Sequence, residues 1–133
     1  MPIAALKESK NRVDQSSLLC DSSMQTQERI IQYYQQANGK FPFTDWILGL
    51  ADKKARSIIF QCIDRIRLGN FGDCQNLGAS IFELRISWGP GFRIYYGLDG
   101  LRIVLLLCGG DKSSQRKDIT RARQLWKEAQ KNA

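Results

Sequence analysis

Residues 82–112 constrain the fold most, because apolar and polar side chains alternate along much of this segment between glycine-containing turns. The alternation runs through residues 82–88 and resumes at residue 92, after the compact turn Gly89-Pro90-Gly91. A two-residue period is typical of a strand with one buried face. After Asp99-Gly100, the run at 101–108 is apolar at nearly every position, as expected for a strand covered on both faces. The segment predicts three antiparallel strands, of which the last is central.

The turn fixes which side chains share a face of this hairpin. A three-residue loop at 89–91 would pair Ser87 with Arg93 and Arg85 with Tyr95. All four then lie on one face, and the apolar residues lie on the other. A register shifted by an even number of residues keeps the same faces. We expect the apolar face to pack on helices and the cationic face to remain open.

The rest of the chain predicts the elements around this sheet. Residues 28–35 indicate a first strand, although a short helix fits almost as well. Thr44 is expected to cap a short helix through Leu50, and Asp52 a longer helix that carries apolar residues at steps of three and four. A last helix is predicted over 114–130. The predicted fold is α+β: a twisted antiparallel sheet of about four strands on a helical hairpin, with a C-terminal helix.

The net charge of +7 is concentrated in the second part of the chain. Within residues 1–23 the basic and acidic residues are equal in number. Within residues 112–131 there are seven basic residues and only two acidic ones, Asp118 and Glu128. A basic stripe favours a polyanion, most simply RNA, although a solvated helix face is the plainer alternative. The candidate nucleic-acid-binding residues are Lys112, Ser113, Gln115, Arg116, Lys117, Arg121 and Arg123.

Composition excludes several kinds of chemistry. The chain has no histidine, which removes Ser-His and Cys-His nucleophilic pairs and most catalytic metal sites. Its four cysteines show no CxxC pairing, so neither a metal nor another cofactor is predicted. No apolar run approaches the length of a membrane span, and a cytoplasmic protein without membrane contact is expected.

The first residues are weakly patterned and polar. We expect residues 1–23 to be disordered, or to result from the choice of start codon. Met24 would then be the start of the fold, and 24–133 would form one domain.

Arg85 and Arg93 are the leading catalytic candidates. Two guanidinium groups on adjacent strands can hold one phosphate and stabilise the charge that develops when it reacts. Alternatively, Arg85 forms a surface ion pair with Glu83 or Asp99. As an exposed sheet residue, Arg93 is expected to tolerate replacement by alanine without loss of stability.

Two further residues complete the candidate catalytic set. Lys112 follows the third strand, where it could bind phosphate or carry a proton. Tyr95 could stack on a base or donate its hydroxyl group to a phosphate. A plain cross-strand contact is the alternative for Tyr95.

Two motifs resemble a known family. ELRISWGPGFRIYY, followed by LLLCGGDKSSQRKDITRA, is similar to the phage-derived addiction-module killer proteins, a branch of the RelE/ParE toxin superfamily, over about residues 28–128. The resemblance implies a small RelE-like fold and a cognate antitoxin, a helix-turn-helix protein encoded next to the toxin. It also implies metal-independent cleavage of mRNA on the ribosome, by attack of the 2′-hydroxyl group. Arg85, Arg93 and Lys112 match the cationic positions of the family.

The chain departs from the family at the acid-base position. Many of these nucleases place a tyrosine or histidine near the C-terminus, whereas the last tyrosine here is Tyr96. Proton transfer would fall to Lys112, Tyr95 or the ribosome. Two other readings stay open: a non-catalytic toxin that inhibits DNA gyrase, and a degenerate protein that only binds antitoxin.

Overall fold

A computed structural model describes residues 28–100 and 102–131, so the expected domain start at Met24 lies outside the described residues. The α+β class and the C-terminal helix are confirmed. In chain order the elements are β1 (Ile30–Tyr33), α1 (Pro42–Leu48), α2 (Lys53–Arg67), β2 (Cys74–Gly78), β3 (Ile81–Ile86), β4 (Phe92–Asp99), β5 (Ile103–Asp111), a 3₁₀ turn (Lys112–Ser114) and α3 (Gln115–Lys131).

The sheet has five strands in the order β1-β5-β4-β3-β2. The pairs β2–β3, β3–β4 and β4–β5 are antiparallel, whereas β1 pairs with β5 in parallel, so the sheet is mixed and not wholly antiparallel as predicted. Strand β5 is interior, as its apolar sequence predicted. Strand β2 was not predicted, and it forms the edge beside β3.

The hairpin between β3 and β4 has a longer loop than expected. Ile86 pairs with Phe92, Arg85 with Arg93, and Glu83 with Tyr95. The predicted pairing of Arg85 with Tyr95 is therefore wrong by two residues, because the loop takes residues 87–91. Two hydrogen bonds close it, from Trp88 N to Ile86 O at 2.9 Å and from Gly91 N to Trp88 O at 3.0 Å. The shift is even, so the predicted faces are retained.

The two helices that precede β2 begin with different signals. Asp52 caps α2 as predicted, and its Oδ1 accepts hydrogen bonds from Lys54 N at 2.9 Å and Ala55 N at 3.3 Å. Helix α1 begins before Thr44, with Phe41 as its N-cap residue and Pro42 in the first turn, where a missing N–H is harmless. No helix in the described ranges is both long and apolar enough to cross a membrane.

Helices cover both faces of the sheet. Helices α1 and α2 pack on one face and form a first core with residues such as Leu84, Ile94 and Leu106. Helix α3 packs on the other face, where Leu125 and Trp126 join Tyr95 and Leu107 in a second core. The expectation of an open cationic face is therefore wrong. The apolar stripe of α3 fills most of that face, and only the end with Arg85 and Arg93 carries cations.

Two glycines at the end of β5 let both layers approach closely. The Trp46 ring of α1 occupies the space that a Cβ atom on Gly109 would need, and the Asp118 carboxylate of α3 occupies the space beside Gly110. Successive residues of a strand face opposite sides of the sheet, so Gly109 faces the layer of α1 and Gly110 faces the layer of α3. The Gly-Gly pair of the GGDK sequence is thus explained by packing.

We expect Gly109→Ala to lower the free energy of unfolding by about 1–3 kcal/mol, the usual cost of an overpacked core. Chemical denaturation of both proteins measures the difference. The matched control is the same substitution in a Trp46→Ala background, where the added methyl group has space and should be nearly neutral. Equal losses in both backgrounds would contradict this account of the glycine.

Candidate functional site

The arginine pair lies at the open end of β3 and β4. Arg85 and Arg93 are direct cross-strand partners, so their side chains leave the sheet on the same face. Arg85 Nε and Arg93 Nη1 each lie 3.5 Å from the same atom, Oε1 of Glu83. The two guanidinium groups therefore share a face of the sheet, as predicted, and both lie near one anion.

That anion is part of the protein. The Glu83 side chain is 1% exposed, and its other oxygen, Oε2, accepts hydrogen bonds from the Tyr95 hydroxyl group and from Gln115 Nε2, both at 2.9 Å. The alternative that Arg85 pairs with Glu83 is correct as a contact, but the carboxylate is buried rather than on the surface. A buried charge needs such partners because isolation from water is costly.

Tyr95 serves this carboxylate and has no exposed surface. Burial raises the pKa of Tyr95 well above its ordinary value, and the hydrogen bond to Glu83 raises it further. The phenol therefore keeps its proton at neutral pH. The expectation that Tyr95 stacks on a base is corrected, because its ring lies inside the second core.

The two arginines differ in access to solvent. The Arg85 side chain is 39% exposed and also donates from Nη2 to the Gln75 amide oxygen of β2. The Arg93 side chain is only 13% exposed. Two guanidinium charges beside one carboxylate give the cluster a net charge of +1. Arg85 provides most of the solvent-accessible surface of the two arginines. A phosphate could approach this cluster from the side of Arg85.

Lys112 lies at the same end of the sheet, in the 3₁₀ turn that follows β5. Its side chain is exposed, and its Cβ atom lies close to Gly91 in the β3–β4 loop. Asp111 caps this turn by accepting from Ser113 N at 2.9 Å. The Ser113 hydroxyl group also donates to Asp111 and lowers the pKa of that carboxyl group below its ordinary value. These hydrogen bonds hold the turn in which the Lys112 side chain is exposed to solvent.

A cationic groove runs along the start of α3. It is lined by Ser113, Ser114, Arg116, Lys117, Thr120, Arg121 and Gln124. The structure thus brings four of the predicted RNA-binding residues together: Ser113, Arg116, Lys117 and Arg121. Two others point elsewhere. Gln115 turns inward to Glu83, and Arg123 donates from Nη2 to the Leu77 carbonyl oxygen of β2 at 3.1 Å.

The described residues offer little else for catalysis. Within 28–100 and 102–131, no group of three His, Cys, Asp or Glu side chains could hold a metal ion. Cys108 is buried, and burial raises the pKa of its thiol to about 12, so it is not a thiolate at neutral pH.

Sequence reasoning missed the central role of Glu83. Its position gave a signal, because a carboxylate two residues before Arg85 in a strand must share the face of that arginine. The inward turn of Gln115 had no such signal. It depends on where α3 crosses the sheet.

The fold and the site define a small α+β domain with a buried carboxylate between two arginines, beside a cationic helix. No family model matches the chain. An uncharacterized protein of Haemophilus influenzae (strain Rd) is 44% identical over 86 residues, which cover 65% of this chain and 87% of that protein. At this identity and coverage, the chain belongs to the same family as the Haemophilus influenzae protein.

The Glu83 contacts change the expected effect of Arg93→Ala. We now expect this substitution to lower the free energy of unfolding by about 1–3 kcal/mol, because a buried carboxylate loses a charged partner. Chemical denaturation provides the measurement. In a Glu83→Gln background the same substitution should cost less, and the double-mutant cycle should give a clear coupling energy. Additive losses would contradict the ion cluster.

Proposed function

We propose that this protein is the toxin of a type II toxin–antitoxin module and that it cleaves mRNA on the ribosome. Arg85 and Arg93, which converge on one oxygen atom beside the cationic groove of α3, support this assignment most strongly. The resemblance of the ELRISWGPGFRIYY and LLLCGGDKSSQRKDITRA motifs to addiction-module killer proteins supplies the class of protein.

The proposed reaction is an internal transesterification of RNA. The 2′-oxygen forms a bond to the adjacent phosphorus, and the bond from phosphorus to the 5′-oxygen of the next nucleotide breaks. The 2′-hydroxyl group loses its proton, and the leaving 5′-oxygen gains one. The products are a 2′,3′-cyclic phosphate and a 5′-hydroxyl end. Negative charge on the phosphate oxygens grows in the transition state, where fixed cationic donors stabilise it.

The residues divide this work by position. Arg85 has the more exposed side chain of the two and meets the phosphate first, while Arg93 supplies charge from behind it. Lys112, on the exposed turn, binds a phosphate or carries a proton. The groove of Arg116, Lys117 and Arg121 follows the RNA backbone, whose phosphates are held by charge without regard to sequence.

Proton transfer depends on Lys112 or the ribosome in this proposal. Tyr95 was a candidate for the step, but its hydroxyl group already donates to Glu83 and its side chain is buried. It therefore acts on the arginine site through Glu83.

The scarcity of acid-base groups favours one alternative. The chain has no histidine, and Tyr95 is buried, so a toxin that binds a protein such as DNA gyrase and cleaves nothing is the second candidate. DNA breaks on expression, with intact mRNA, would favour it.

The proposed partner is a cognate antitoxin. The cationic groove of α3 and the exposed Arg85 are the surfaces that it would have to cover in order to block RNA. An acidic segment fits such a surface by charge.

The test is mapping of RNA ends in a translation extract supplied with the purified protein. We expect cuts in mRNA at the ribosomal A site, each leaving a 2′,3′-cyclic phosphate. Arg85→Lys and Arg93→Lys keep the charge but lose the guanidinium fork. Each variant should therefore cleave about 10²–10³-fold more slowly, as when one fixed donor is lost.

Arg67→Lys is the matched control, because Arg67 pairs with Glu28 and Asp64 at the end of α2, on a different surface from the arginine cluster. It should cleave like the unchanged protein. Intact mRNA in an extract whose translation is arrested would refute the nuclease and leave the protein-binding toxin.

A further inference from the structure

Glu83 is the one charged side chain that is buried among the residues described, 28–100 and 102–131. Burial of a carboxylate opposes folding unless its partners compensate, and an apolar residue would fill the same space more cheaply. A buried charge at this point, between the two candidate catalytic arginines, therefore calls for a role beyond packing.

The contacts of Glu83 fall into two kinds. Oε2 accepts two short hydrogen bonds from neutral donors, Tyr95 and Gln115, at 2.9 Å. Oε1 faces the two guanidinium groups at 3.5 Å, which is longer than the usual charge-assisted hydrogen bond. Tyr95 and Gln115 thus hold the carboxylate in place. Its negative charge attracts the two arginines but does not occupy all of their N–H donors.

The arginines retain hydrogen-bonding capacity in this arrangement. Arg85 Nε and Arg93 Nε are buried, and neither has a hydrogen-bond partner within the part of the chain that the structure describes. Arg93 is thus held mainly by charge, whereas Arg85 also has its hydrogen bond from Nη2 to the Gln75 amide oxygen. The remaining N–H groups of both arginines can reorganise when a stronger acceptor such as phosphate arrives.

We propose that Glu83 is a positioning residue for the arginine site. It sets the orientation of Arg85 and Arg93, and through Gln115 it ties them to the first turn of α3, where the cationic groove begins. Glu83 itself does not reach RNA, because its side chain is buried and both of its oxygens are occupied. This role rests on the proposed function, since it is the RNA phosphate that the arginines are positioned to meet.

Glu83→Gln tests the role, because it removes the charge and keeps the shape. In the translation extract, kcat for mRNA cleavage should fall about 10–100-fold, since small misplacements of catalytic groups cost this much. KM should stay the same or fall, because the cluster gains a net positive charge when the carboxylate is lost. A raised KM with an unchanged kcat would overturn the proposal.

A second measurement does not depend on RNA cleavage. In ¹H–¹⁵N NMR spectra, the Nε–H signals of Arg85 and Arg93 should be sharp and slow to exchange in the unchanged protein. They should broaden or move in Glu83→Gln. Identical arginine spectra in the two proteins would overturn the role of Glu83. If the unchanged protein cleaves no RNA, the proposed function fails, and these spectra alone decide for or against the positioning role.

Two further variants guard against a plain folding defect. Tyr95→Phe keeps the carboxylate but removes one of its fixed donors, so it should lower kcat in the same direction by a smaller factor. Glu128→Gln is the matched control, because Glu128 also accepts from a tyrosine, Tyr34, at 3.3 Å, but near the other end of α3. It should leave kcat and the arginine spectra unchanged. A loss in Glu128→Gln equal to that in Glu83→Gln would contradict a specific role for Glu83.

Discussion

One carboxylate oxygen shared by two guanidinium groups is the interaction on which the site depends. Arg85 and Arg93 lie opposite each other on adjacent strands, where two like charges destabilise a sheet. Glu83 relieves that repulsion from within the second core, and it can do so only because Tyr95 and Gln115 satisfy its other oxygen. The cluster joins three elements, β3, β4 and α3, and it leaves one positive charge toward solvent.

The same region explains the glycines of the GGDK sequence. Gly109 makes room for Trp46 of α1, and Gly110 makes room for Asp118 of α3. The turn that carries Lys112 lies beside the β3–β4 loop because Asp111, at the end of β5, pairs with Phe92 at the start of β4. The two glycines thus shape this region by letting a helix pack closely on each face of β5.

The sequence predicted the faces of the β3–β4 hairpin correctly because an even shift of register cannot exchange them. It failed at β2, whose turn to β3 has positive φ values at Ala79 and Ser80 in place of the Asn-Gly or Asp-Gly pair that is typical of such a hairpin. The packing of α3 on the cationic face was also not predicted, although the sequence of β5 indicated it. A strand that is apolar on both faces needs a layer on each, and α3 was the element left to supply the second. The partners of Glu83 depend on that crossing, so periodicity could not reveal them.

The most direct test of the account is a crystal structure of the protein with a short RNA whose 2′-hydroxyl group at the cleavage position is replaced by hydrogen, which prevents reaction. The account predicts a phosphate within hydrogen-bonding distance of the Arg85 guanidinium group, with Arg93 behind it and the RNA backbone continuing along Arg116, Lys117 and Arg121. RNA bound only along α3, with Arg85 and Arg93 still directed at Glu83 and no phosphate beside them, would contradict it.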